Sequence, residues 1–157
     1  SDSVADSAVA TWDLIVTAPP DANTNGLPDA WESAYGIIDP SADEDADGQN
    51  NLAEYLANTN PTNAASLFTI LDARWTTDEY FSLTWSSVGG TRYRVQYSNG
   101  NTEGGITGAF TDMIRFIDSE MDASPYGASS TQSFTDTFTQ TGTPTNNARY
   151  YRIKVVP

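Results

Sequence analysis

Two stretches of the chain hold oxygen-bearing side chains at a spacing that suits a hard cation. The first comprises Asp21, Asn23, Asn25, Gly26, Leu27, Asp29 and Glu32, and the second Asp43, Asp45, Asp47, Gly48, Gln49, Asn51 and Glu54. Both satisfy D-x-[DN]-x-[DN]-G-x5-E without a mismatch. Ca2+ takes about six to eight oxygens. Side chains at positions 1, 3 and 5 of each loop, the backbone carbonyl of Leu27 or Gln49, Asp29 or Asn51, and a bidentate Glu32 or Glu54 can wrap one ion. Gly26 and Gly48 permit the sharp turn that folds those ligands inward. The two loops are offset by 22 residues at both ends, so the motif is also an internal duplication. One partial match would read as a solvated acidic loop; two complete matches at one period predict two bound Ca2+ ions. Mg2+ suits the set less well, because it keeps several waters. Loop 2 offers four carboxylates (Asp43, Asp45, Asp47, Glu54) against three in loop 1 (Asp21, Asp29, Glu32), which predicts tighter binding in loop 2.

The elements that must position these ligands are half those of a calcium sensor. Ala18-Pro19-Pro20 precedes loop 1 and Gly36-Ile37-Ile38-Asp39-Pro40 precedes loop 2, and neither stretch can run as a helix. After the loops, Leu27, Trp31 and Tyr35 recur at helical spacing, as do Leu52, Tyr55 and Leu56. Each unit is therefore expected to be a loop with one short outgoing helix. Position 8, where paired hands usually place an aliphatic residue, holds Pro28 and Asn50, which argues against an opening switch.

The run Asn25-Gly26-Leu27-Pro28-Asp29-Ala30-Trp31-Glu32, then Asp45-Ala46-Asp47-Gly48-Gln49-Asn50-Asn51-Leu52-Ala53-Glu54-Tyr55-Leu56-Ala57-Asn58-Thr59-Asn60-Pro61-Thr62, resembles the thrombospondin type 3-like, EF-hand-type repeats of secreted bacterial proteins. The resemblance covers about residues 20–66. It implies structural calcium on the ligand positions named above, an extracellular setting, a β-sandwich following the repeats, and Asn60 as a further ligand. Dockerins share the 22-residue duplication, but their loops are separated by a longer linker and usually end in Asp where Glu32 and Glu54 stand here.

Charge divides the chain. Residues 1–66 carry twelve Asp or Glu and no Lys or Arg, whereas all seven basic residues lie in 67–157 with nine acids. Such a balance excludes nucleic acid as a partner, and no apolar run is long enough to span a membrane. The chain carries neither an initiator Met nor a signal peptide, which fits a mature chain beginning at Ser1 or an excised fragment. Non-switching calcium sites suit the millimolar calcium outside cells, so the expected location is secreted or cell-surface.

Val9–Thr17 reads as a strand with Trp12, Leu14 and Val16 on one face, ended by Pro19 and Pro20. Beyond Pro61 the period is 2. Strands are expected at Leu67–Ala73, Tyr80–Ser86 (Phe81, Leu83, Trp85 on one face), Arg92–Ser98 (Tyr93, Val95, Tyr97), Phe110–Ile117, Gln132–Phe138 and Arg149–Val156 (Tyr151, Ile153, Val155). Val88-Gly89-Gly90-Thr91 reads as a hairpin turn. The fold class is thus mainly β. It is an antiparallel immunoglobulin-like or fibronectin-like β-sandwich (67–157), preceded by an N-terminal strand (within 1–19) and a tandem calcium-loop module with two short helices (20–66).

Without His or Cys, the usual general base, thiol nucleophile and transition-metal ligands are missing. Asp118, Glu120 and Asp122 read as solvated surface or a weak cation site rather than a catalytic pair. The chain is therefore expected to be a non-enzymatic structural protein. A lone N-terminal strand must find a sheet, either an edge of its own sandwich or the sandwich of a neighbouring copy, and donation to a neighbouring copy would give self-assembly into a filament or surface layer. The alternative is a carbohydrate-binding accessory module, with Trp75, Tyr80 and Tyr126 as aromatics that could stack on sugar rings.

Overall fold

The computed structural model describes residues 17–103, 105–113 and 120–156. The strand expected at Val9–Thr17 lies outside these residues except for Thr17, and Asp118 lies outside them altogether.

Both helices follow their loops, and each has a local reason to start and stop. Helix α1 (Asp29–Tyr35) begins behind Pro28, whose preset φ of −63° and missing N–H suit a helix start, and ends at Gly36 in the left-handed region (φ 72°). Helix α2 (Asn51–Ala57) is capped by the Asn50 side chain, which accepts from the Ala53 N–H at 2.9 Å, and ends at left-handed Asn58. Pro61 then prevents continuation. Neither loop is entered by a helix among the described residues. Trp31 of α1 meets Tyr35 at 4.9 Å and Tyr55 of α2 at 5.9 Å between ring centres, so the two half-hands share an aromatic contact.

The remainder is two small antiparallel sheets. One has the order β1 (Ile70–Trp75), β2 (Phe81–Val88), β6 (Ser129–Asp136). In the other, β3 (Arg92–Asn99) pairs along its whole length with β7 (Arg149–Val156). Its opposite edge takes the two-residue strands β4 (Thr111–Asp112) and β5 (Glu120–Met121). Leu83 and Trp85 of β2, Tyr93 and Val95 of β3, Met113 and Phe134 form one buried cluster, so the alternation read in the sequence does face a common core. Phe81 stacks on Tyr151 at 5.0 Å and Trp85 meets Tyr93 at 6.0 Å across the two layers.

Four expectations are corrected. Val88–Thr91 is not a hairpin, because β2 and β3 lie in different sheets and the turn is an arch between them. Its turn bond, Thr91 N–H to Val88 O, is present at 3.0 Å, but Gly89 and Gly90 donate to Ala128 O and Asp122 O rather than extending a ladder. A Cβ on Gly89 would fall 2.1 Å from Pro125 O, so only glycine lets the 122–128 loop close over the arch. The first strand begins at Ile70 rather than Leu67, because Ser86 Oγ takes the ladder's place there, donating to Leu67 O and accepting from Thr69 N–H. The sixth runs 129–136 rather than 132–138. It follows β2 to Val88 at one end, and at the other Asp136 Oδ1 captures the N–H of Phe138, whose φ is 61°. Of Phe110–Ile117, only Thr111–Asp112 is strand among the described residues.

Candidate metal centre

The two acidic loops are conformational copies. Position 4 of each is left-handed (Thr24, φ 56°; Ala46, φ 61°), and position 6 is a glycine at φ 93° and 96°. A left-handed Ala costs about 1 kcal/mol and persists only where its surroundings demand it. The internal bonds repeat as well. Asp21 Oδ2 and Asp43 Oδ2 each accept the position-6 N–H at 2.9 Å. Asn23 Oδ1 and Asp45 Oδ1 accept the position-5 N–H at 3.2 Å, and Asn25 Oδ1 and Asp47 Oδ1 accept the position-7 N–H at 2.8 Å.

What differs is the atom each ligand position has left over. In loop 1 it is an N–H: Asn23 Nδ2 and Asn25 Nδ2 donate to Glu32 Oε1 at 2.8 and 2.7 Å, so two carboxamides answer the Glu32 charge. Asp29 is occupied by the Ala22 N–H at 2.9 Å. In loop 2 the leftover atoms are all oxygens. Asp45 Oδ2, Asp47 Oδ2, Asn51 Oδ1 and both oxygens of Glu54 are buried without a hydrogen-bond partner. The carboxylates of Asp43, Asp45 and Asp47 lie within 4.8 Å of one another. Burial first, then the charges of Asp45, Asp47 and Asp43, push the Glu54 carboxyl up to about 7.

Buried acceptors are normally satisfied, and five together without a donor make an environment that lacks positive charge. The chemistry of the set, hard oxygens from carboxylates and a carboxamide, fits a hard dication of the calcium type. Of the positions read in the sequence, loop 2 groups Asp43, Asp45 and Asp47 and leaves oxygens of Asp45, Asp47, Asn51 and Glu54 buried without a partner. Loop 1 brings the same positions together but presents amide nitrogens at two of them. Asn60 accepts from the backbone N–H and hydroxyl of its own Thr62.

Two further features escape a reading by motif. Gln49 Nε2 donates to Phe68 O at 2.8 Å, and the Phe68 ring stacks on Tyr93 at 5.6 Å, so loop 2 is wired into the sheet core. Asp122, expected on the surface, is only 2% exposed. It accepts from Ser87 Oγ at 2.5 Å and Ser124 N–H at 2.8 Å. Burial pushes its carboxyl up, but bonds from Ser87, Ser124 and Gln132 outweigh that and hold it below the usual range. Of the aromatics read as surface, Trp75 is 59%, Tyr80 37% and Tyr126 85% exposed. No protein-family model, curated protein or solved structure matches the chain.

Proposed function

We propose that the chain is a non-enzymatic, extracellular, calcium-stabilised structural protein that assembles with copies of itself. The observation that carries the calcium reading is the group of five buried oxygens without donors in loop 2. Calcium in loop 2 answers the charge of Glu54, and a second, weaker ion occupies loop 1 through Asp21, Asn23, Asn25, the Leu27 carbonyl, Asp29 and Glu32 once the two carboxamides turn their oxygens inward. The two sheets read as an immunoglobulin-like or fibronectin-like sandwich, supported by their shared core and the arch that passes from one to the other. The absence of His and Cys from the sequence supports a structural role. Isothermal calorimetry on the chelator-stripped chain tests the proposal: two unequal calcium sites are expected. No calcium heat, together with a melting temperature indifferent to chelator, would overturn it.

A second reading, carbohydrate binding, is favoured by one observation. The exposed Trp75 ring borders a groove with Phe138, Pro144, Glu79 and Thr143 that offers an aromatic plane beside polar groups. Glycan binding that disappears in Trp75→Ala and survives deletion of residues 1–18 would support it over assembly.

A further inference from the structure

The two layers are closed on one side and open on the other. Where β6 faces the β4 side, Phe134 and Met113 are 6% and 3% exposed. Where β1 faces the β7 side, the layers touch through the Phe81–Tyr151 stack but leave the face of β1 open. Residues directly opposite in an antiparallel ladder project to the same face. Ile70, Ala73 and Trp75 pair with Trp85, Leu83 and Phe81, so they point to the core side of their sheet. Yet Ile70 is 46% and Trp75 59% exposed, and Ala73 is exposed as well. Across from them β7 pairs only with β3 among the described residues, and its core-side Tyr151, Ile153 and Val155 are half-buried. A groove of about 260 Å³ lies at one end of this side, between Trp75, Phe81, Phe138, Pro144 and the 148–151 stretch. Among the described residues, no strand lies on the outer edge of β7.

We propose that residues 9–17 of a neighbouring copy enter this gap as an added strand on the far edge of β7, over 151–156. The inference rests on the self-assembly reading and names the surface that receives the strand. The choice of edge is decided by the apolar face: a strand on the outer edge of β1 would leave Ile70 and Ala73 exposed, whereas one on β7 covers them while pairing its ladder. The segment fits in length, nine residues against the eight of β7, and in pattern. Antiparallel registers that turn Trp12, Leu14 and Val16 inward set Asp13 on the outer face opposite Arg152 or Lys154, both exposed there. The acidic N-terminal part of the chain thus meets a sheet edge that carries two exposed basic residues, Arg152 and Lys154.

The sequence has no Cys, so introduced thiols report pairing cleanly. Asp13→Cys chain is mixed in millimolar calcium with Arg152→Cys or Lys154→Cys chain and oxidised; opposed strand positions lie within disulfide reach. A heterodimer is expected about tenfold faster than with Ser133→Cys on β6 as acceptor. In parallel, Ala73→Arg at its exposed position should abolish sedimenting assemblies while leaving calcium binding and melting unchanged. Cross-linking no faster than the β6 control, or assembly that persists in Ala73→Arg, overturns this acceptor groove and leaves the self-assembly reading standing. A concentration-independent intramolecular disulfide in the Asp13→Cys, Lys154→Cys double variant shows that the strand closes on its own chain and overturns donation. An unmodified chain that stays monomeric in millimolar calcium overturns both the groove and the assembly reading.

Discussion

The loops differ at three ligand positions: an amide nitrogen stands in place of a carboxylate oxygen at positions 3 and 5 of loop 1, and at position 9 Asp29 stands against Asn51. Because the backbone and its bonds are otherwise duplicated, loop 1 is a built-in comparison for loop 2. Glu54→Gln should weaken the tighter calorimetric site by about tenfold or more, since ligand charge sets affinity in such loops, whereas Glu32→Gln should disturb only the weaker one. Asn23→Asp with Asn25→Asp gives loop 1 five carboxylates against the four of loop 2 and should raise its affinity at least toward that of loop 2; two sites still as far apart as before would count against the account. A second residue-scale expectation concerns acid. The folded-state pKa of Asp122 lies below its ordinary value of 3.8, so its contribution is fully present above that value and is lost as pH falls through the lower folded one. Asp122→Asn should therefore destabilise the protein by about 1–3 kcal/mol at pH 7. The melting-temperature gap to the parent chain should close below about pH 4. A gap independent of pH would remove the ionised carboxylate from the explanation.

At the scale of elements, what was legible in the sequence was local. Ligand spacing, the short helix after each loop and the inward phase of Leu83, Trp85, Tyr93 and Val95 all depend on neighbours within a few residues. Pairing between distant strands was not legible. A Gly-Gly turn announces that the chain reverses, but which sheet it enters is decided by Asp122 and the 122–128 loop, some thirty residues away. The ion pair between Asp136 at the end of β6 and Arg149 at the start of β7 is of the same kind. Its atoms lie 2.9 Å apart with both side chains almost fully buried, and it ties one sheet to the other. Tyr151 OH and Thr141 Oγ1 donate to Asp136, Asn99 and Thr141 accept from Arg149, and the guanidinium lies 4.6 Å above the Tyr97 ring. Arg149→Ala strands a buried carboxylate and should cost about 3–5 kcal/mol in urea unfolding. The Asp136→Leu, Arg149→Met pair, which leaves no charge behind, should recover most of that loss. If the double variant is as unstable as the single, the network contributes through something other than paired burial.

Across the whole molecule, charge and architecture are segregated together. The nine acids between Asp21 and Glu54 have no basic residue among them, and the buried oxygens of loop 2 sit directly behind the bond from Gln49 to Phe68 that leads into the sheets. Removing calcium should therefore act in two stages. The 17–66 segment loses the cations that offset its self-repulsion and should become protease-sensitive first. The sheets, whose core of Leu83, Trp85, Tyr93, Val95, Met113 and Phe134 needs no ion, should survive as a resistant fragment. The link through Gln49 sets how far the loss spreads: calcium at about a hundred times its dissociation constant stabilises the folded state by about 2.7 kcal/mol. Part of that should reach the sheets in the parent chain and less of it in Gln49→Ala. Because repulsion is the cause, added NaCl should partly restore protease resistance to the chelated chain and change little in the calcium-loaded one. Limited proteolysis in chelator, with and without salt, reads all of this at once. A cleavage pattern unmoved by chelator, or a sheet fragment that is degraded together with the loops, would show that calcium does not hold the acidic segment apart from an independently stable sheet core.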